Sequence, residues 1–315
     1  MTGLTRSSQV ALPLQPAKSV VPTARPVYAV LAWGAMLAIL LPSILWVWVP
    51  FTRSALLVVW KFGIFWPYGL LALCALTFLW PAMRPLRGFL LAFLALQTGA
   101  MLVFLIADNA GYADWVKTLP FGVRIPLTPQ FGVGLRLITV ALLAVTLIGS
   151  GLKRRDLFLA RSDLKAPFQF FGRSVPWWLV GGLMLLVVVG ATTLFLALST
   201  HVSAAALPRV LSYLPFILLA AAINAFVEEF GWRSVMIARL APALGPGQAN
   251  WLQATYWGLS HYWGTPGGPV GSLMVIAMGW FFGKSVLQTR GSTVNYVVHV
   301  AADATIFAFF VMALT

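Results

Sequence analysis

Between Val27 and Leu314 the chain passes through nine long apolar runs, and the connections between them hold most of its charge. A helix rises 1.5 Å per residue, so about 20 such residues match the ~30 Å hydrocarbon layer of a bilayer. In that layer the backbone must satisfy its own hydrogen bonds, which leaves helices or closed barrels. The runs are too uniformly apolar for the two-residue alternation of a membrane barrel, so strands are not expected. Helices are expected at about Val27–Val49, Phe62–Trp80, Gly88–Ala107, Phe131–Gly151, Val175–Ser199, Tyr213–Leu240, Trp251–Gly264, Ser272–Leu287 and Val294–Leu314. The runs 251–264 and 272–287 are short, which suits tilted, partly buried or re-entrant segments. The expected fold class is all-α, a polytopic transmembrane helical bundle of about eight or nine membrane helices.

Composition agrees. Only 9% of the 315 residues are charged and 60% are apolar. A soluble domain carries about 25% charged residues, and a disordered one has low hydrophobicity. Both classes are excluded. The net charge of +14 invites a nucleic-acid reading, but the basic residues lie between apolar runs and form no long tract. They fit the positive-inside bias of a membrane protein, so the expected partner on this ground is the lipid bilayer, with no nucleic acid. The connection at 152–175 alone holds Lys153, Arg154, Arg155, Arg161, Lys165 and Arg173, whereas the connections of the opposite side hold Arg53, Lys61, Lys117, Arg124 and Arg209. The expected placement is therefore a multi-pass protein of the cell membrane with a cytoplasmic N-terminus. The six basic residues of 152–175 suit an anionic inner leaflet. Residues 1–26, polar and broken by Pro13, Pro16, Pro22 and Pro26, are expected to form a flexible cytoplasmic tail. Residues 27–174 are expected to form an N-terminal transmembrane region ending in that basic connection, and residues 175–315 a C-terminal core. Cys74, the single cysteine, excludes an intrachain disulfide.

The rare polar residues are not scattered. The chain's two glutamates are adjacent, Glu228 and Glu229, and two of its three histidines, His261 and His299, fall in apolar runs with Asp303. An ionisable side chain at a helix centre costs at least ~2.5–3.5 kcal/mol on insertion scales. Glu229 and Arg233 are i,i+4 and share a helix face. Glu228 points ~100° away, over Asn224 one turn earlier. His299 and Asp303 are again i,i+4. Counted along the helices, Glu228, His261, His299 and Asp303 lie near one level at mid-membrane. Arg136 reads as a helix-end or snorkelling residue, and His201 has no assigned role.

A carboxylate and two imidazoles shielded from solvent suit hydrolysis. Glu228 and His261 would share the deprotonation of one water, and His299 would donate to the oxyanion. No Ser or Cys nucleophile constellation, HExxH or GxSxG is present. No cofactor is required by this reading. Two alternatives stay open. The same side chains would ligate zinc or another divalent metal in a metal-dependent hydrolase. Or the chain is a non-enzymatic transporter or scaffold whose buried charges relay protons or bind a partner.

Glu228-Glu229-Phe230-Gly231-Trp232-Arg233 forms an EExxxR motif, His261 follows the aromatic Trp257 by four residues, and His299 precedes Asp303 by four. In this order, on apolar helices, the motifs resemble those of the CPBP family, the type II CAAX prenyl endopeptidases and the bacteriocin-processing enzymes. The resemblance covers about residues 175–315, with its core at 224–303. It implies an intramembrane endopeptidase, with a membrane peptide or protein substrate, in which Glu228 and His261 activate the water, Glu229 and Arg233 order the site, and His299 with Asp303 stabilises the oxyanion. Two positions depart from the pattern. Trp257 replaces the usual Phe, which is expected to change only packing. Asp303 stands where Asn is frequent; an ionised Asp cannot donate a hydrogen bond, so either Asp303 is protonated or it orients His299. The CAAX substrate of the eukaryotic relatives is not carried over.

Overall fold

The computed structural model describes residues 26–45, 65–128, 133–170 and 172–313. The expected tail at 1–26 lies almost wholly outside them, as do residues 46–64, which hold the end of the first apolar run, the connection after it and the start of the second run, and residues 129–132 at the start of the fourth run. Apolar runs become helices in the order α1 (Pro26–Leu45), α2 (Phe65–Leu79), α3 (Arg87–Ala107), α4 (Ala110–Thr118), α5 (Leu137–Leu147), α6 (Trp177–Ser199), α7 (Leu207–Glu228), α8 (Ile237–Leu244), α9 (Pro246–Ser260), α10 (Gly268–Thr289) and α11 (Thr293–Ala313). Five helical stretches among the described residues are long and apolar enough to cross a membrane: Pro81–Ala107, Trp177–Ser199, Ala204–Leu244, Gly268–Thr289 and Thr293–Ala313. Three shorter apolar helices, Pro26–Leu41, Tyr68–Leu79 and Leu137–Leu147, accompany them. The chain is a helical multi-pass membrane protein; the expected eight or nine crossings exceed the five stretches that meet the length on their own.

Side chains that would be a liability in water face outward. Along α6, Leu186, Leu194 and Leu198 are exposed, which is the lipid-facing pattern of a spanning helix rather than a soluble surface. Inside, α9 lies against α10, α11 against α7 and α6, and α3 against α5. Small residues set these approaches. A Cβ on Gly99 of α3 would lie 2.7 Å from Thr139 Cα and 2.8 Å from Thr139 Cβ of α5. Gly99→Ala forces α5 away, and the expected loss is about 1–3 kcal/mol of stability, read as a lowered thermal midpoint in detergent; an unchanged midpoint contradicts the packing.

Two features depart from the expected all-helical reading. The basic connection contains an antiparallel hairpin, β1 (Pro167–Phe170) and β2 (Arg173–Pro176), in the register Phe168↔Val175 and Gln169↔Ser174. Gly172, at φ +73°, supplies the left-handed residue that a tight hairpin needs. The pairing is stabilised on one side: Phe168 is buried edge-on against Trp177, with Lys284 Nζ 4.6 Å above its ring. The second departure lies in the expected helix Tyr213–Leu240. It starts at Leu207, and between Glu229 and Met236 it becomes a π-helix with every residue buried. The α-form resumes in α8 until Gly245, at φ +79°, ends it, and Pro246 opens α9.

Four hydrophobic clusters result among the described residues, two of them large. One joins α1, α2 and α3 to Phe230, Trp232, Val235 and Trp257. The other joins Leu196, Ile217, Ala220, Ile306 and Phe307 of α6, α7 and α11. The polar residues singled out above gather where the two meet.

Candidate active site

The π-helix turns Glu228 and Glu229 toward different partners, and such segments recur at functional sites. Glu229 is buried. Its Oε2 accepts from Asn295 Nδ2, its Oε1 accepts from His299 Nδ1 at 2.8 Å, and Arg233 Nη1 stands 3.3 Å from the same Oε1. The Arg233 guanidinium, 0% exposed, stacks 3.8 Å from the Trp257 ring centroid and 5.1 Å from that of Phe282. Among the described residues no nitrogen of Arg233 donates a hydrogen bond.

Glu228 lies at the edge of this core, its side chain 11% exposed. Its Oε1 accepts from Arg136 Nη1 at 2.8 Å and its Oε2 from Trp257 Nε1 at 2.6 Å. Arg136 Nη1 also donates to Asn224 Oδ1 at 2.7 Å, and Asn224 Nδ2 donates to Asp303 Oδ2 at 3.0 Å. His299 Nε2 stands 3.8 Å from Glu228 Oε2 and 3.6 Å from Asp303 Oδ2. Glu228, Glu229, Arg233, Asn224, His299 and Asp303 thus form one continuous network with Arg136, Trp257 and Asn295.

The ring hydrogen bonds define the imidazole tautomers. His261 Nδ1 lies 2.8 Å from the carbonyl oxygen of Trp257. A carbonyl only accepts, so Nδ1 carries the hydrogen and, in the neutral ring, Nε2 keeps its lone pair. In the same way the Glu229 carboxylate places the Nδ1 hydrogen of His299, which leaves Nε2 facing Glu228 and Asp303.

Two cavities meet at these residues. A polar one of about 360 Å³ is bordered by Arg136, Asn224, Glu228, Ser260 and His261. An apolar one of about 520 Å³ runs between α6 and α10, past Leu183, Val187, Met274 and Met278, and reaches His299. Trp257, His261, Thr265, Asp303 and Ile306 border both.

Two expectations are corrected here. Arg136 is a helix-end residue, the N-cap of α5, but it does not snorkel; it reaches inward and holds Glu228 and Asn224. Trp257 does more than pack, because its indole N–H, which a Phe lacks, binds Glu228. Asn295 is a member of the network that the motifs do not mark. It occupies the face of His299 and Asp303 at spacings of four, which is the signal that would have found it. Among the described residues no group of three or more His, Cys, Asp or Glu is arranged to hold a metal ion.

Residues 210–305 match the family described as type II CAAX prenyl endopeptidase Rce1-like. That segment contains all three motifs, so the resemblance read from the sequence stands on this match as well. It leaves Arg136 outside. No curated protein and no solved structure matches the chain.

Proposed function

We propose that this protein is a membrane-embedded endopeptidase that hydrolyses a peptide bond with a water activated by Glu228 and His261. The observation that carries the reading is the meeting of an apolar and a polar cavity at His261 and Asp303. A substrate segment with apolar side chains or a lipid chain would lie between α6 and α10, and its scissile amide would reach the border of the polar cavity, where water has access.

There the roles follow from the hydrogen bonds. The carboxylate of Glu228 offers about four acceptor sites, of which Arg136 and Trp257 use two. A water bound to a remaining site and to the His261 Nε2 lone pair loses a proton as its oxygen attacks the carbonyl carbon. The negative charge then gathers on the carbonyl oxygen, and a protonated His299 Nε2 donates to it. Asp303, held by Asn224 Nδ2 and with its Oδ2 3.6 Å from His299 Nε2, orients His299 in this reading. Glu229 fixes the His299 ring through Nδ1. The water's proton passes to the leaving amine, and the C–N bond breaks.

The family match supports a protease, and the helices support a peptide substrate presented within the bilayer. The positive connection 152–175 supports a cytoplasmic N-terminus. The test compares membrane-protein termini in cells that hold the wild type or Glu228→Ala. New termini that depend on Glu228 are the expected result; identical sets, together with no peptide cleavage by purified protein, would favour a transporter or scaffold. Full turnover is expected after exhaustive chelation. Loss of turnover with recovery on adding zinc would replace the reading with metal-dependent hydrolysis.

A further inference from the structure

Glu228 is held by two donors, one on each oxygen, and the donor on Oε1 comes from outside the matched segment. Arg136 is the N-cap residue of α5, and its backbone carbonyl accepts from Thr139 N at 2.9 Å. Thr139 in turn lies where only a glycine at position 99 lets α3 approach. The first turn of α5 is thus pressed into place by α3, and Arg136 points from it into the polar cavity. Its side chain stays 42% exposed, so the cavity reaches it.

We infer that Arg136 is a positioning residue of the site. Its Nη1 donates at once to Glu228 Oε1 at 2.8 Å and to Asn224 Oδ1 at 2.7 Å, and Asn224 Nδ2 donates to Asp303 Oδ2 at 3.0 Å. One nitrogen therefore ties the water-activating carboxylate to the aspartate beside His299. The bridge fixes the spacing of the two ends of the site, the end that removes the proton and the end that receives the oxyanion. It also brings the N-terminal helices into the chemistry, because α5 completes a site whose other members all come from residues 224–303. A reacting atom misplaced by about 1 Å costs about 10²-fold in rate.

The inference rests on the hydrolytic reading of Glu228, and the experiment separates the two. Peptide turnover is measured in detergent for wild type, Glu228→Gln, Arg136→Gln and Arg136→Lys, with thermal midpoints for Arg136→Gln, Asn224→Ala and the pair. Arg136→Gln is expected to lower kcat by about 10²-fold with KM unchanged, because the bridge positions groups and does not bind substrate. The midpoint losses of Arg136→Gln and Asn224→Ala are expected not to add, since each removes the same bond. Arg136→Lys is expected to lie between wild type and Arg136→Gln, because it restores a charge without the planar guanidinium. It carries the kinetic test if Arg136→Gln does not fold. Turnover in Glu228→Gln equal to wild type overturns the hydrolytic reading. Turnover lost in Glu228→Gln but untouched in the Arg136 variants overturns only the inference. A raised KM at constant kcat, or midpoint losses that add, also overturns it. The midpoints decide the bridge even where no peptide is turned over.

Discussion

Glu228→Ala is expected to lower peptide turnover by about 10²–10⁴-fold, the usual contribution of a general base, while the protein stays folded. Folding should survive because Glu228 borders a cavity and is not sealed in the core; water can fill the space and reach the donors left on Arg136 and Trp257. His261→Ala is expected to cost a similar factor, since it removes the second acceptor of the same water. If the two act as one unit, Glu228→Ala/His261→Ala falls little below either single variant. Turnover is read against circular dichroism and monodispersity in detergent. A folded Glu228→Ala with wild-type turnover would remove Glu228 from the chemistry. Losses that multiply would mean that the two groups act at separate steps.

What the sequence revealed here followed from cost. Charge is so expensive in hydrocarbon that Glu228, Glu229, His261, His299 and Asp303 stand out against their runs, and helical spacing then assigns faces to them. The helical, multi-pass character is legible for the same reason, because apolar length registers the bilayer, although only five of the described stretches reach that length on their own. What stayed hidden depends on pairing across distance. The partner of Glu228 sits 92 residues away at Arg136, and a lone arginine at the edge of an apolar run has the same pattern whether it snorkels or reaches inward. The donor role of Trp257 depends on where its indole nitrogen points, and no spacing encodes that. The hairpin at 167–176 is masked by its place in a basic connection, where Gly172 and a single buried Phe168 are its main marks. The π-helix has no strong local signal either. Its eight residues read as a helix, and only the buried partners of Glu229 and Arg233 make the wider turn worthwhile.

Those partners set the second large effect. Glu229→Ala is expected to cost about 3–5 kcal/mol of stability, the range for breaking a buried ion pair by removing one member. The reason is specific to Arg233. Its guanidinium is fully buried and donates no hydrogen bond among the described residues, so the carboxylate 3.3 Å away and the faces of Trp257 and Phe282 are what compensate its charge. Cation–π contacts contribute about 0.5–2 kcal/mol, too little to hold an unpaired buried charge. The substitution also strands the donors of Asn295 Nδ2 and His299 Nδ1, each at about 1–3 kcal/mol. Replacing both members, as in Glu229→Gln/Arg233→Met, removes the charge together with its counter-charge, and the pair is expected to lose clearly less than the sum of the single losses. Thermal unfolding in detergent measures all of these variants. A loss under about 1 kcal/mol for Glu229→Ala, or strict additivity in the double variant, would show that Arg233 does not depend on Glu229. The effect on chemistry should follow from the same bond: without Glu229 the His299 ring loses its Nδ1 acceptor, so turnover in whatever fraction stays folded is expected to fall as well, and its fall per folded molecule separates the positioning of His299 from the stability of the helix.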